Sequence, residues 1–377
     1  MRILQFVPYF IPYNGGQERY VYNLSRHLVK MGHEVHVITS NYPESKEYEV
    51  IDGITVERYR CLARPLRNPI VPSFLTINGR IKDFDVIHTH NEHSSAAMAA
   101  AYLRRKNNIP LVLTCHGQLR FGNIFADTFE KIYSRSIGRI LLDTCDKIVT
   151  LSDSDKQYVS NLGVDDVKIT ILPNAIDPDE LESFKPRDVS QKYNLDGKRI
   201  VLFVGPVIKR KGVEYLIRAI PKVSRGVRDE IIFVFTGSGD FIEEAKRLSK
   251  ELKVEDKVLF TGLIDFEELI GFYRSSDIFV LPSMSEGLPT SILEAMYFSL
   301  PVITTDIPGV RDHFKDTALL VPPKDEDKLA ETLIKLLGND ELRKRLSKSG
   351  EKLVRDKYTW DIVAKNYGEI YKNLMER

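Results

Sequence analysis

Several features that assign proteins to specialised classes are scarce in this 377-residue chain. Its three cysteines, Cys61, Cys115 and Cys145, lie far apart without a CxxC pair, which argues against a disulfide framework or a cysteine zinc site and suits a reducing compartment. No apolar run is long enough to cross a bilayer, and no signal-peptide cleavage pattern follows the first residues. The net charge of +1 predicts no bulk attraction to nucleic acid. We therefore expect a cytoplasmic protein, soluble or peripheral on the inner membrane face.

What the chain does contain is a regular alternation of short apolar runs and amphipathic stretches. The length suits two domains rather than one core. In the first half the predicted strands are residues 3–7, 34–39, 85–88, 111–114, 147–151 and 168–172, and the predicted helices are residues 18–31 and 95–107. In the second half the predicted strands are residues 199–204, 231–236, 257–261, 277–281 and 301–304, and the predicted helices include residues 213–224 and 240–252. Two such sets predict an α/β protein of two doubly wound domains with parallel sheets.

The domain boundaries are predicted from composition. Residues 181–194 belong to a polar stretch with no long apolar run, and they are predicted to form a linker. Residues 1–180 then form the first domain and residues 195–358 the second. The last segment, about 359–377, has its large apolar residues at helical spacing, which predicts an amphipathic helix.

The most informative segment follows the predicted strand at residues 277–281. It carries two carboxylates, Glu286 and Glu294, with seven residues between them. A Gly/Pro turn and the start of a helix lie between the two acids, and the residues concerned are Gly287, Leu288, Pro289, Thr290 and Ser291. A strand that runs through such a turn into a helix presents backbone N–H groups that bind phosphate. Two acids beside a phosphate site indicate bound hydroxyls, and the combination favours a nucleotide sugar; the alternative is a surface loop with one solvated Glu.

A basic loop follows the first strand of the second half. Lys209, Arg210 and Lys211 lie between Gly205 and Gly212, just before a predicted helix. Three cations beside a helix N-terminus favour a diphosphate site. The alternative is an ordinary solvated basic loop.

Polar residues also follow three strands of the first half. Gly15 and Gly16 form a strand-to-helix loop, where glycine allows a positive φ and the close approach of a ligand, although a plain tight turn fits equally. His88, His90 and Asn91 end one strand, and His116 ends the next. The carboxyl ends of parallel strands are where α/β proteins bind ligands. His88 and His90 share one face of their strand, so a metal site is an alternative there.

Taken together, these motifs resemble the retaining glycosyltransferases of family four, which have the GT-B fold. The resemblance covers nearly the whole chain and rests on the E-x7-E segment, the Gly-Gly loop and the strand-end histidines. It implies that Glu286 contacts the donor sugar, that Glu294 binds the ribose hydroxyls and that His116 hydrogen-bonds the transferred sugar. It also implies that the Gly15–Gly16 loop faces the donor phosphate and sugar across an interdomain cleft, and that the final helix crosses back onto the first domain.

The resemblance extends to the rest of the donor site. Gly237 lies in a turn that lines the cleft, and Leu263 and Ile264 match the segment whose backbone contacts the base. Catalysis in the family needs no metal and no cofactor, so none is expected here. The chain departs from the family pattern at Pro206, where an Arg usually grips the diphosphate. Lys211 matches the family Lys-Gly pair, and Lys209 and Arg210 are the two candidates to replace the missing Arg.

The predicted reaction is the transfer of a hexose from a UDP- or GDP-linked donor to a glycan or lipid-linked acceptor in surface polysaccharide or glycolipid synthesis. His88, His90 and Asn91 lie on the predicted acceptor side. The rival hypotheses are a glycosidase, a nucleotide-sugar epimerase and a non-catalytic nucleotide-sugar-binding protein. A glycosidase has two acids facing one sugar, for which a cationic phosphate site serves no purpose.

Two stretches of the first half combine basic and apolar residues. Between Arg58 and Lys82 there are six basic residues and no acid, with Phe74 and Leu75 among them. Between Phe121 and Leu142, apolar residues are mixed with basic ones. Such surfaces suit an anionic membrane or a lipid-diphosphate acceptor, and a solvated acceptor-side loop is the equal alternative.

Overall fold

The computed structural model describes residues 1–13, 15–65, 68–117 and 132–376. The chain divides into two compact units. The first unit comprises Met1–Asn174 together with Trp360–Arg377, and the second comprises Ala175–Thr359. Each unit has its own sheet and its own buried core, as the alternating pattern predicts.

The first unit is built on an eight-stranded sheet of order β3-β4-β2-β1-β5-β6-β7-β8, in which only the β3–β4 pair is antiparallel. The strands are β1 (Arg2–Phe6), β2 (Glu34–Ser40), β3 (Tyr48–Ile51), β4 (Ile54–Tyr59), β5 (Val86–His90), β6 (Leu111–Cys115), β7 (Lys147–Thr150) and β8 (Ile169–Ile171). Among the described residues before 174, its α-helices include α1 (Gly16–Lys30), α2 (Ser95–Asn107), α3 (Arg139–Thr144) and α4 (Asp153–Asn161). Short 3-10 or π turns span Pro72–Gly79, Ile81–Asp83, Ser134–Gly138 and Asp166–Lys168.

The central strands of this sheet are covered on both faces. Every residue of β5 and β6 is buried, which is typical of strands inside a parallel sheet. Helix α2 packs beside them through small residues, and its buried alanines are Ala96, Ala97, Ala100 and Ala101. Alanine has a high helix propensity and lets a helix approach a sheet closely, which explains the Ala-rich sequence.

The β3–β4 hairpin is an element that the predicted strands omit. Its turn is Asp52-Gly53, with φ angles of 48° and 80°. Asp-Gly between two β-prone runs is a strong hairpin signal, because a two-residue turn of this type needs positive φ at both positions. The signal was therefore present in the sequence.

The second unit is built on a six-stranded parallel sheet of order β11-β10-β9-β12-β13-β14. The strands are β9 (Arg199–Val204), β10 (Ile231–Thr236), β11 (Val258–Gly262), β12 (Ile278–Leu281), β13 (Val302–Thr305) and β14 (Leu319–Val321). The helices are α5 (Pro178–Ser183), α6 (Val189–Tyr193), α7 (Val213–Gly226), α8 (Ile242–Glu251), α9 (Phe266–Ser275), α10 (Thr290–Tyr297), α11 (Pro308–Phe314), α12 (Glu326–Leu337) and α13 (Asp340–Lys357). Short 3-10 turns span Lys209–Lys211 and Glu255–Lys257.

The predicted linker at residues 181–194 is wrong, because these residues fold onto the second unit. They include the second half of α5 and all of α6, and Val189 is fully buried in that unit's core. Glu268 on α9 accepts hydrogen bonds from Lys192 at 2.7 Å and from Tyr193 at 2.5 Å. A polar sequence can still be well ordered when its charges find partners elsewhere in the chain, and these partners lie more than 70 residues away.

The last helix, α14 (Trp360–Met375), belongs to the first unit. Its buried face carries Trp360, Tyr367 and Tyr371. The Tyr367 hydroxyl lies 2.9 Å from the hydroxyl of Tyr20 on α1. Buried tyrosines need hydrogen-bond partners, and this contact fixes α14 against α1. Within the described residues, no helix is both long and apolar enough to span a bilayer.

Candidate active-site residues in each unit

The basic loop of the second unit approaches the loop after β12. Strands β9 and β12 are neighbours in the sheet, so the loops at their carboxyl ends lie side by side. Gly212 has a φ of 70°, and a Cβ atom at this position would clash with the carbonyl oxygen of Pro282. The Met284 N–H donates to the Arg210 carbonyl at 2.8 Å. Only glycine combines this conformation with such a close approach, so Gly212 holds the two loops together.

Lys211 and Glu286 form a mostly buried ion pair. The Lys211 Nζ atom donates to Glu286 Oε1 at 2.6 Å. The Lys211 residue is 9% exposed, and so is the Glu286 side chain. The cation predicted to bind phosphate and the acid predicted to contact the sugar therefore lie in direct contact. Because both are largely removed from water, their interaction is stronger than that of a surface pair.

Arg210 and Lys209 have different surroundings. Arg210 donates to the Ser285 carbonyl and lies 3.7 Å from Glu286 Oε2. Lys209 instead lies 3.4 Å from Glu244 on α8. Of the two candidates to replace the missing Arg, Arg210 is the one that the structure brings beside the E-x7-E segment.

The turn between the two acids leads into α10 without a side-chain cap on the helix. Leu288 and Pro289 are buried, whereas Gly287 and Thr290 are exposed and Ser291 is half-buried. Exposed backbone N–H groups at a helix start attract anions, which agrees with the predicted phosphate site.

Gly309, in the first turn of α11, supports this turn from behind. A Cβ atom there would clash with the carbonyl oxygens of Glu286 and Gly287. The sequence analysis missed this residue, whose only local signal is a Pro-Gly pair.

Glu294 on α10 is held by a tyrosine of another helix. The hydroxyl of Tyr273, on α9, donates to Glu294 Oε2 at 2.8 Å. Tyr273 is fully buried, and the pKa of its phenol lies well above the usual value because of burial and the adjacent carboxylate. The phenol therefore stays protonated and acts as a permanent donor. Sequence analysis missed Tyr273, because its partner is identified only by tertiary packing.

The other predicted donor-site residues border the same strand ends. Gly237, after β10, has a φ of 135°, and a Cβ atom there would clash with the Gly205 carbonyl oxygen. Leu263, after β11, is 81% exposed, and Ile264 is half-buried. The roles predicted for them remain predictions.

In the first unit, the Gly15–Gly16 loop differs from the expectation of positive φ. Gly15 is extended, with a φ of −152°, and Gly16 begins α1. The carboxylate of Glu18 folds back from the first helical turn into the space that a Cβ atom of residue 15 would occupy. Burial raises the pKa of Glu18, against a smaller opposing effect of its own backbone N–H. Gly16 has open space where a side chain would be, which leaves room for a ligand.

The strand-end histidines His88, His90 and His116, here called the histidine cluster, are brought together. The His90 Nδ1 and His116 Nε2 atoms are 3.1 Å apart, and the rings of His88 and His90 have centroids 4.2 Å apart. His88 and His90 are fully buried, whereas His116 is partly exposed. The side chains of His88 and His90 are predicted to lie on the acceptor side, but their burial blocks direct contact with an acceptor substrate in this structure.

The histidine cluster is electrically neutral at pH 7. Burial lowers the pKa of His88 to about 3, with a smaller contribution from His116. Burial also lowers the pKa of His116 to about 4, and it holds that of His90 well below its usual value, with His88 and His116 adding to the effect. Each ring therefore has one N–H donor and one lone pair.

Asn91 follows β5 in a left-handed conformation with a φ of 65°. Its Oδ1 atom accepts a hydrogen bond from the His93 N–H at 3.0 Å, and its own N–H donates to the Thr114 carbonyl. The side chain thus shapes the turn after the strand, and the predicted acceptor contact remains a prediction. Among the described residues, no group of three His, Cys, Asp or Glu side chains is arranged to hold a metal ion.

The stretch between Arg58 and Lys82 is less basic in the structure than in the sequence. Arg58 is buried and pairs with Glu49 at 2.5 Å, and Arg80 pairs with both carboxylate oxygens of Glu57. Phe74 is also buried in the core. The prediction counted charges within one segment, but the neutralising acids lie outside it. Position 67, another of the six basic residues, is outside the described residues.

The second stretch, between Phe121 and Leu142, is described only from residue 132 onward. There Ile132, Ile137 and Ile140 are exposed, and so is the basic residue Arg135. Arg139 pairs with Asp143. The described part therefore does combine exposed apolar and basic side chains.

Two family models together match nearly the whole chain. The model described as Glycosyltransferase Family 4 matches residues 14–180, and the model described as Glycosyl transferases group 1 matches residues 186–353. The division between the two models falls close to the start of the second unit.

Similar proteins cover the full length as well. An uncharacterised glycosyltransferase of Methanocaldococcus jannaschii is 30% identical over 96% of this chain and 95% of its own. The phosphatidyl-myo-inositol mannosyltransferase of Mycobacterium leprae is 29% identical over 99% of this chain and 97% of its own. The solved structure of Anabaena HepE in complex with UDP has a TM-score of 0.78 and 15% identity, covering 99% of this chain and all of that one. The likeness to solved structures confirms the predicted GT-B fold.

Proposed function

Because the chain belongs to glycosyltransferase family 4, the glycosyl transferases group 1 proteins, we propose a specific reaction for it. The enzyme transfers a hexose from a UDP- or GDP-linked donor to a glycan or lipid-linked acceptor, with retention of configuration at the anomeric carbon. The second unit binds the donor and the first unit binds the acceptor.

The observation that carries this proposal is the Lys211–Glu286 pair beside Arg210. A cationic cluster next to carboxylates suits a ligand that has both phosphates and hydroxyl groups. We assign the diphosphate to Lys211, Arg210 and the backbone N–H groups at the start of α10. Glu286 then hydrogen-bonds the sugar and Glu294 the ribose. When the donor binds, its diphosphate offers Lys211 a second anionic partner.

The proposed chemical step is a single displacement on one face of the sugar. The acceptor hydroxyl oxygen forms a bond to the anomeric carbon while the bond from that carbon to the donor phosphate oxygen breaks. The hydroxyl proton passes to a phosphate oxygen of the departing nucleoside diphosphate. Lys211 and Arg210 stabilise the negative charge that develops on the leaving group, which is the role that a preorganised cationic site plays in catalysis.

His116 is placed to orient the sugar rather than to supply a proton. Its pKa of about 4 leaves it neutral at physiological pH. The open space beside Gly16 suits the approach of a substrate to the first unit.

The first experiment is a calorimetric titration of UDP, GDP and ADP into the wild type and Glu294→Ala, without added metal. We expect one nucleotide to bind selectively and to lose at least about tenfold in affinity in the variant, as for one lost hydrogen bond to a charged group. Equal binding by both proteins would contradict the ribose assignment. The product assay then uses the matching nucleotide sugar, since release of a nucleoside diphosphate distinguishes transfer from epimerisation or simple binding.

For the acceptor we propose a lipid-linked molecule reached at an anionic membrane surface. The relative from Mycobacterium leprae has phosphatidyl-myo-inositol in its name, which fits a phospholipid-linked acceptor. The exposed side chains of Ile137 and Ile140, with Arg135 nearby in sequence, supply the apolar and basic groups that peripheral membrane proteins use.

Cosedimentation with vesicles of phosphatidylglycerol and phosphatidylcholine tests the membrane contact. The double variant Ile137→Asn/Ile140→Asn is expected to reduce the bound fraction. Val167, which is 76% exposed elsewhere in the first unit, provides the control Val167→Asn. Equal binding by all three proteins would exclude this surface.

A further inference from the structure

A series of hydrogen bonds runs from Gln5 on β1 through His90 to His116 in the histidine cluster. The Gln5 Oε1 atom lies 3.0 Å from His90 Nε2. On the other edge of that ring, His90 Nδ1 lies 3.1 Å from His116 Nε2. Gln5 and His90 are fully buried, so no bulk water competes for these contacts. This series of hydrogen bonds thus connects a neutral amide in the core to the partly exposed ring of His116.

The chemistry of these groups fixes the position of each proton. An amide oxygen only accepts, so His90 carries its proton on Nε2. A neutral His90 then has a lone pair on Nδ1, and the contact with His116 requires a proton on His116 Nε2. Since His116 is neutral as well, its Nδ1 atom has a lone pair.

The Gln5 amide has a second neighbour, Tyr371 on α14. Burial raises the pKa of the Tyr371 phenol well above its usual value. Among the described residues, the Gln5 side chain makes its hydrogen bond through Oε1 to His90, and its amide nitrogen has no partner within hydrogen-bond distance.

A separate branch of the network surrounds His88. The Tyr371 hydroxyl lies 2.7 Å from His88 Nδ1, and His88 Nε2 lies 2.8 Å from Thr114 Oγ1. Thr114 Oγ1 is in turn 2.8 Å from the Tyr367 hydroxyl. This branch packs against His90 without a hydrogen bond to it, and it therefore offers a control in the same core.

We propose that Gln5 is a positioning residue that, through His90, holds His116 in the tautomer with its proton on Nε2. In this tautomer the Nδ1 atom of His116 accepts a hydrogen bond from a substrate hydroxyl and cannot donate one. The inference rests on the proposed function for the identity of the substrate, but the tautomer itself is a property of the unliganded protein. This tautomer favours a sugar that presents a hydroxyl to His116 over one that presents a group able only to accept a hydrogen bond.

The test is nuclear magnetic resonance of the full chain with 15N-labelled histidine, using two-bond correlations that identify the protonated ring nitrogen. His116→Gln assigns the signals. In the wild type we expect His116 to be protonated on Nε2 alone, and protonation on Nδ1 would overturn the proposal. In Gln5→Leu we expect a mixture of the two tautomers. An unchanged single tautomer in that variant would refute the role of Gln5.

The matched control is Tyr367→Phe, which removes from the same core a hydroxyl that bonds to Thr114 and Tyr20 and makes no hydrogen bond to His90 or His116. It should leave the His116 tautomer unchanged. Gln5→Met provides a second replacement if Gln5→Leu does not fold, and the wild-type spectrum decides the tautomer in either case.

Activity gives an independent measurement. Gln5→Leu should lower kcat by roughly tenfold, as for one misdirected hydrogen bond, while the Kd of the nucleotide stays unchanged. If the tautomer is as predicted but the protein has no transfer activity, the proposed function is refuted and this inference stands. Transfer activity with the opposite tautomer would refute this inference alone.

Discussion

The hydrogen bond from Tyr273 to Glu294 makes a prediction that separates positioning from folding. Tyr273→Phe removes one hydroxyl and leaves Glu294 in place. A hydrogen bond to a charged group contributes about 1.5–3 kcal/mol. We expect the lower end of this range because Glu294 is half-buried and partly solvated. If the phenol fixes the carboxylate for the ribose, about 1.4 kcal/mol of that contribution appears in nucleotide binding, as a roughly tenfold rise in Kd.

The assay compares the preferred nucleoside diphosphate with its 2′-deoxy and 3′-deoxy analogues by calorimetry. The analogue that lacks the contacted hydroxyl already binds the wild type more weakly, so Tyr273→Phe should weaken its binding by less than about twofold. The control is Tyr297→Phe, the same change at a tyrosine that donates to Glu182 at 3.2 Å. It should leave the affinity for every nucleotide unchanged.

Two results would refute the reasoning. An equal loss of affinity for the ribose and deoxyribose nucleotides would mean that Tyr273 supports the fold of the site generally. An unchanged Kd in Tyr273→Phe, with Glu294→Ala still impaired, would mean that Glu294 needs no orienting partner.

Three further predictions concern the ion pair, a glycine and the histidine cluster. Lys211→Met should weaken nucleotide binding by about 10- to 100-fold and lower the free energy of unfolding by roughly 3 kcal/mol, because a buried carboxylate loses its partner. The control Lys209→Met should change neither quantity. Calorimetric titration measures the binding, and urea unfolding measures the stability. Gly212→Ala should lower the unfolding temperature far more than Gly197→Ala. Both glycines have positive φ, but of the two only Gly197 has open space for a methyl group. Equal losses would mean that backbone strain alone, and not the close contact at Gly212, causes the destabilisation. The histidine cluster is neutral when folded and charged when unfolded at low pH, so stability should fall by about 1.4 kcal/mol per histidine per pH unit below about 6.5. His116→Asn should reduce the slope of unfolding free energy against pH by the contribution of one histidine between pH 6 and pH 4.5. Unfolding is measured by the fluorescence of the single tryptophan, and an unchanged slope would contradict the depressed pKa of His116.

The elements at the centre of each sheet could be predicted from the sequence because their apolar runs are continuous. The strands β9 and β10 and the helix α2 match the predicted residues. The predictions failed where the deciding contact lies outside the segment that was considered. The polar residues 181–194 are ordered by a carboxylate on α9, 76 residues from Lys192, and the basic residue Arg58 is neutralised by Glu49 from the preceding strand.

The candidate site divides in the same way. The E-x7-E acids, the basic loop and the strand-end histidines are visible as motifs, because the carboxyl ends of parallel strands supply the site. The residues that orient them, such as Tyr273 and Gln5, carry no local signal. Burial and a hydrogen bond across the core identify them, and neither is encoded in a short window of sequence.

The first unit is discontinuous in the chain, since α14 closes it only after the whole second unit has been passed. During synthesis, residues 1–174 leave the ribosome without Tyr367 and Tyr371, so His88 and Thr114 lack their tyrosine partners until α14 is made. The second unit has no such dependence, because residues 175–359 are contiguous. The core of the first unit therefore stays incomplete until α14 is translated, whereas the second unit can complete its core before that.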